Sequence, residues 1–240
     1  MDIKFTQDKI YLLGDSHAYR VLFGLVKTLP KDCTALSLGD NGEGFAHHSN
    51  DAMCLNKINE LCKIKNIVLY VIRGNHTNPD VYRRGYIFSN LFLVPDYSTA
   101  TFPNGKIALL VGGGISIDRL ARKEGVDYWS DEATIYHKVD KQYNILFSHD
   151  APEYFNFSTD SLRYSHLKDY LLRDKTLLQD CLNQRNVINN IVEDISCEYV
   201  CSGHFHCSLF QEKNGIKYRC LNINEIVEFN SDKIFDSLVL

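Results

Sequence analysis

Apolar runs in this chain stop repeatedly at a glycine followed by polar residues. Residues 9–13 lead into Gly14-Asp15-Ser16-His17, residues 33–38 into Gly39-Asp40, and residues 67–72 into Arg73-Gly74-Asn75-His76. Between these runs the period changes. Residues 18–29 set Val21, Leu22, Leu25, Val26 and Leu29 at helical spacing, and residues 51–65 predict a second helix with Asn50 or Asp51 as its N-cap. Strand, helix, strand, helix, strand is the signature of an α/β unit whose parallel strands are covered on both faces.

The middle of the chain is patterned differently. Residues 91–94 and 98–102 predict short strands, and Pro103-Asn104-Gly105 predicts a hairpin turn into 106–111. Gly112-Gly113-Gly114 marks a tight backbone passage, after which 131–136 is expected to open a helix. Residues 143–147 form an apolar run ending at Ser148-His149, and 161–195 is helical in pattern, as one helix or two. Residues 199–201 lead into Gly203-His204-Phe205-His206, and 209–211 with 217–221 predict a closing hairpin around Asn214-Gly215. Both halves feed strands to the centre. The expected fold is therefore α/β, with two mixed β-sheets packed together and flanked by helices. A length of 240 residues suits a single domain over 1–240.

Composition narrows the function. With 45% hydrophobic and 23% charged residues, disordered and fibrous classes are excluded. A net charge of -4 and a pI near 6.1 leave no basic field to hold nucleic acid by counterion release. The charged residues 1–9 lack the apolar run of a signal peptide, and no stretch is long enough to cross a bilayer. The eight cysteines include no C-x-x-C pair, so the expectation is reduced thiols and a cytoplasmic protein without a membrane partner.

The polar residues after the apolar runs carry the candidate chemistry. Ligands of α/β sheets bind at the carboxyl ends of strands, where the loops converge. Asp15, His17, Asp40, Asn75, His76, His149, His204 and His206 all fall at such ends, and they include five of the nine histidines. Imidazole, carboxylate and amide oxygen together suit divalent transition metals. The i, i+2 spacing of Asp15 with His17, and of His204 with His206, sends both side chains to one side of an extended segment. A carboxylate such as Asp40 is able to bridge two ions, and an ion pair roughly 3.5–4 Å apart clamps a phosphate.

The set Gly14-Asp15-Ser16-His17, Gly39-Asp40, Gly74-Asn75-His76, Ser148-His149 and Gly203-His204-Phe205-His206 resembles the calcineurin-like metallophosphoesterase family. The stretch Gly112-Gly113-Gly114-Ile115-Ser116-Ile117-Asp118-Arg119, followed by Tyr128-Trp129, resembles a segment of small bacterial and phage members. The resemblance implies a four-layer αββα sandwich with the site at the sheet edge. It implies two divalent metal ions, manganese foremost, with iron, zinc or nickel also suited. One ion would take Asp15, His17, Asp40 and His206, and the other Asp40, Asn75, His149 and His204. The activity implied is hydrolysis of a small phosphate mono- or diester by metal-activated hydroxide attack on phosphorus. His76 would be the general acid or a hydrogen-bond donor to the phosphate.

Two positions depart from the family pattern. Thr77 stands where an acidic residue usually follows Asn-His, and Asp80 or another group is the candidate to orient His76 in its place. In Gly39-Asp40-Asn41-Gly42-Glu43 the role of Glu43 is left open. Asn75, His76 and His47 are the candidate substrate contacts. Tyr154, Phe155 and Phe157 are candidates for an apolar wall beside a nucleobase or aromatic leaving group. Competing functions are a non-catalytic scaffold of the same fold, a metal-dependent nuclease, and a structural zinc site at Cys201, His204, His206 and Cys207. The acidic pI disfavours long nucleic acid. Oligomeric state and the particular ester are open, because loops 77–100, 112–135 and 150–165 lie outside the motifs.

Overall fold

The computed structural model describes residues 1–45, 51–84, 88–153, 155 and 163–232. Its first half contains β1 (Asp2–Lys4), β2 (Lys9–Leu13), α1 (Tyr19–Thr28), β3 (Thr34–Ser37), α2 (Asp51–Lys65), β4 (Val68–Ile72), α3 (Pro79–Arg84), β5 (Leu91–Val94), β6 (Ser98–Thr101) and β7 (Ile107–Val111). Then follow β8 (Ile145–Ser148), α4 (Arg163–Arg173), α5 (Leu177–Ile195), β9 (Tyr199–Ser202), β10 (Leu209–Lys213), β11 (Ile216–Cys220) and β12 (Ile226–Asn230). A five-stranded sheet has the order β12-β2-β3-β4-β5, and a seven-stranded sheet the order β1-β6-β7-β8-β9-β11-β10. In the first, β2 to β5 run parallel and β12 antiparallel. In the second, β7, β8, β9 and β11 run parallel, β6 is antiparallel to β7 and parallel to β1, and β10 is antiparallel to β11.

The two-residue period of the strands sorts their side chains into three cores. Ile10 and Leu12 of β2 meet Ala108 and Leu110 of β7 and Ile145 and Phe147 of β8 between the sheets. Leu13 of β2 and Leu69 and Val71 of β4 face the other way, against Leu22 and Val26 of α1 and Leu55 and Ile58 of α2. Leu109, Leu146 and Val200 of the seven-stranded sheet pack on Ile188, Ile191 and Ile195 of α5. The layers are thus helices, sheet, sheet, helices, the expected αββα sandwich.

The helices follow the expected pattern closely at α2, and the 161–195 region divides at Asp174 into α4 and α5. Asp174 accepts a bond from the Thr176 backbone N–H at 3.1 Å and from Arg119 Nε at 2.6 Å. Residues 131–136, expected to open a helix, form a turn and irregular backbone. A helix needs its carbonyls for its own N–H groups. Here the carbonyls of Glu132 and Ala133 accept Arg73 Nη1 at 2.6 Å and Nη2 at 2.9 Å. Thr134 is likewise engaged elsewhere, donating its hydroxyl to the Gly112 carbonyl at 2.7 Å and its N–H to Gln184 at 2.9 Å. Strands β1 and β12 were not legible in the pattern. Both lie at sheet edges, where a short run suffices.

No helix among the described residues is long and apolar enough to cross a membrane. All eight cysteines are free.

Candidate metal centre

Five parallel strands deliver the candidate residues to one rim between the sheets. Asp15 and His17 follow β2, Asp40 follows β3, Asn75 and His76 follow β4, His149 follows β8, and His204 and His206 follow β9. The loops turn sharply there. His17, Asp40, His204 and His206 have φ of 53°, 54°, 64° and 48°. A non-glycine residue in that left-handed region costs on the order of 1–2 kcal/mol. Four such residues at one rim are tolerated because the surroundings hold them. The approach of His17 to Asp15, at 3.9 Å, is therefore produced by turns, and His204 and His206 fall in different ligand groups. The extended geometry expected from their spacing does not occur.

Two glycines allow the loops to touch. A Cβ on Gly74 would overlap Asp40 Oδ1, and one on Gly203 would overlap Asp15 Oδ1. The space serves the carboxylates. Asp40 Oδ1 accepts the His76 backbone N–H at 2.7 Å, and Asp15 accepts that of His204 at 3.1 Å and 3.2 Å. Backbone N–H groups of Ser16 and His17 reach back to the Asp40 carbonyl at 3.2 Å and 2.7 Å.

The side chains form three overlapping groups whose ligand atoms lie within 4.8 Å of one another: Asp15 with His17 and His206, His17 with Asp40 and His76, and Asp40 with His149 and His204. Nε2 of His17 and Nε2 of His206 stand 2.8 Å apart, and His206 Nε2 is 3.0 Å from Asp15 Oδ2. His149 Nε2 lies 3.1 Å from Asn75 Oδ1 and 3.4 Å from Asp40 Oδ1. Its Nδ1 is 2.7 Å from the Leu38 carbonyl. A carbonyl only accepts, so Nδ1 carries a proton and Nε2 is the atom turned to the cluster. Asp15, Asp40, Asn75 and His149 are buried. Nitrogen and oxygen lone pairs gathered this way fit a pair of divalent cations.

Electrostatics agree with that fit. Burial disfavours a charged His149, but Asp40 and Asp15 beside it outweigh burial and raise its pKa to about 9. Burial alone would push Asp40 up; His149 and His76 instead hold it well below the usual carboxylate range. Burial drives Asp15 upward, with Asp40 adding to the rise. Burial pushes His204 down. The cluster thus holds negative charge that only nearby positive charge makes tolerable.

Behind the ligand set lies a relay outside the sequence motifs. Asn75 Nδ2 donates to Ser116 Oγ at 3.1 Å, and Ser116 donates its hydroxyl to Glu132 at 2.7 Å. Glu132 also accepts the Ser116 N–H at 2.6 Å. This fixes the carboxamide so that its oxygen faces His149. Glu132→Ala is expected to weaken metal binding roughly ten- to hundred-fold, as replacements behind a ligand typically do. Isothermal titration of metal into chelator-stripped protein measures it, and an unchanged affinity would show that Ser116 alone holds Asn75.

Thr77 and Glu43 belong together. Thr77 donates to Glu43 Oε2 at 3.2 Å, and the Glu43 carbonyl accepts the Asn78 N–H at 2.7 Å. Burial raises Glu43 to about 7. The pair ties the loop after β3 to the loop after β4. Asp80, expected to orient His76, instead lies in α3 and pairs with Arg83 at 3.2 Å, and the Asn78 side chain accepts its backbone N–H at 2.9 Å as the cap of that helix.

His76 stacks on Phe45 at 5.1 Å and meets His17 edge-on at 4.5 Å. Its Nε2 is 4.0 Å from Asp40 Oδ2 and 2.8 Å from Arg122 Nη2. Burial pushes the imidazole down to about 4; Asp40 opposes this and Arg122 adds to it. Arg122, Glu132 and Phe45 are not identified from sequence, and Ser116 enters only as part of the 112–119 stretch.

Other expectations are corrected or fall outside. His47, His48, Tyr154 and Phe157 lie outside the described residues. Phe155, a candidate for a substrate wall, is fully buried and stacks on Tyr218 at 4.3 Å in the core under α5. Cys201 is buried between the sheets, and among the described residues no clustered ligand group contains a cysteine. The structural zinc reading has no support.

An αββα sandwich with Asp, Asn and His gathered at the strand ends is a scaffold with a candidate metal-binding rim. Residues 8–208 match the family Calcineurin-like phosphoesterase, and the chain belongs to that family of metal-dependent phosphoric ester hydrolases. No curated protein matches it in sequence. Among solved structures it is similar to the cold-active protein-tyrosine phosphatase of a psychrophile, Shewanella sp., with 11% identity and a TM-score of 0.41, over 97% of this chain and 78% of that one.

Proposed function

We propose that this protein hydrolyses small phosphate mono- or diesters at two divalent metal ions. Asp15, His17, Asp40 and His206 would hold one, and Asp40, Asn75, His149 and His204 the other. The observation that carries this is the convergence of three overlapping ligand groups, with Asp40 common to two of them. Manganese leads the candidates, since the set mixes imidazole with carboxylate and amide oxygen. Bound ions supply Lewis acidity toward the phosphoryl oxygens.

The remaining work falls to the chain. Asp40, Asp15 and the backbone N–H groups of His76 and His204 set the spacing of the ligands before substrate arrives, so little reorganisation is needed. His76 faces the cluster and is the group to protonate the leaving oxygen or to hydrogen-bond the phosphate. An entering phosphate brings negative charge beside the imidazole, and that favours its protonated form. The stretch 112–119, followed by Tyr128-Trp129, supports assignment to the small bacterial and phage members. The free cysteines support a cytoplasmic location.

The test uses p-nitrophenyl phosphate and its bis ester with added manganese. Hydrolysis is expected for the wild type, to disappear with a chelator, and to fall by about three orders of magnitude in His149→Ala, which loses a ligand and the charge partner of Asp40. Activity that survives both treatments would sink the metal assignment. Gel assays on single- and double-stranded DNA separate a nuclease from a small-molecule esterase.

A further inference from the structure

We propose that Arg122 is the phosphate-binding cation of this site and that it selects phosphomonoesters over diesters, an inference that rests on the phosphoesterase reading above. Arg122 lies beyond the family motifs, yet its Nη2 reaches within 2.8 Å of His76 Nε2, over the ligand cluster. Its side chain is only 8% exposed.

The guanidinium is held on every side. Asp118 lies 2.7 Å from Nη2, and Nη1 donates to Ser116 Oγ at 3.2 Å and to the Asp127 carbonyl at 3.3 Å. The Phe45 ring lies 5.2 Å beneath its carbon. Its loop is pinned by Arg119, which reaches Asp174 at 2.6 Å and Asp180 at 2.7 Å. A cation fixed this way loses little freedom on binding, which is where preorganised affinity comes from. Arg73, which directly precedes the Gly74-Asn75-His76 motif, is engaged elsewhere. It is saturated by Asp96 and by the carbonyls of Glu132 and Ala133.

The N–H directed at His76 faces the ligand cluster and is available to a substrate. An imidazole nitrogen is a modest acceptor, and a phosphoryl oxygen carrying negative charge is a stronger one. A monoester phosphoryl group presents three terminal oxygens, and a diester two. Two of these would face the ions that the ligand cluster would hold. The third oxygen of a monoester needs a donor of its own, and Arg122 has the fork geometry to serve it. A diester has an esterified oxygen there, with no charge to pair.

Arg122→Ala, Arg122→Lys and Lys123→Ala are compared with the wild type, all loaded with manganese and checked for metal content. For p-nitrophenyl phosphate, Arg122→Ala is expected to lower kcat/KM about 100-fold, mostly through KM, the size of a lost charge-assisted hydrogen bond. Arg122→Lys should recover part of this. The bis ester should change less than about threefold, since it leaves the arginine unused. Inorganic phosphate, titrated calorimetrically, should bind Arg122→Ala at least about tenfold more weakly. Lys123→Ala, an exposed neighbour, should match the wild type in both assays. Equal losses on the two esters, or phosphate affinity unchanged in both Arg122 variants, would overturn the proposal. A wild type inert toward both esters would overturn the phosphoesterase reading alone, because the phosphate titration still decides Arg122.

Discussion

Asp40→Asn is expected to reduce phosphoester hydrolysis by at least about 10³-fold and to leave fewer than two metal ions per chain. Asp40 is 1% exposed and is shared by two of the three ligand groups. Asparagine keeps the oxygen that accepts the His76 N–H and tolerates the left-handed φ of 54° at this position. What it removes is the charge and the second equivalent oxygen. Alanine would also remove the bond to His76 and strain the backbone, so the amide variant isolates the electrostatic effect. Without the carboxylate, burial is left to push His149 below its present value of about 9. Metal analysis of the purified variant, together with initial rates, decides the matter. Two tightly held ions and a wild-type rate would show that Asp40 is not shared between them.

Gly74→Ala should be the most damaging small substitution at the rim. Its Cβ would overlap Asp40 Oδ1 and lie 2.6 Å from the Asp40 nitrogen and 2.7 Å from its Cγ. Those atoms belong to a buried residue in a strained turn, so they have nowhere to move. Overpacking of this kind costs about 1–3 kcal/mol, and displacement of Asp40 should empty the metal site as well. Gly24→Ala provides the contrast. It lies within α1 with no atom inside 4 Å of an added Cβ, so alanine should stabilise by roughly 0.5–1 kcal/mol. Denaturant unfolding and metal content of the two variants measure both effects. A Gly74→Ala protein with wild-type stability and full metal occupancy would show that the two loops have slack.

Much of the fold was legible because local periodicity reports it. The alternation in β2 separates Ile10 and Leu12 from Leu13, and the structure sends those sets to different cores. The 131–136 segment departs from expectation because its pattern suits a helix, while Arg73, about 60 positions earlier in the chain, claims the carbonyls of Glu132 and Ala133. Phe155 misled in the opposite sense. Its place in the loop after His149 suggested a substrate wall, and its ring is taken up by Tyr218.

The site divides the same way. Residue type and position at strand ends determined, from sequence, which side chains come together. A strand must end where its apolar run ends, and parallel strands of one sheet present those ends on one rim. Only the tertiary structure decided how they meet. His17 and His206 are 189 residues apart, and their 2.8 Å approach depends on two left-handed turns that no spacing rule encodes. The same holds for Glu132 behind Asn75 and for Arg122 beside His76. Hydrogen bonds of a buried polar group are settled by whatever the fold brings within reach, and that is long-range information no local pattern carries.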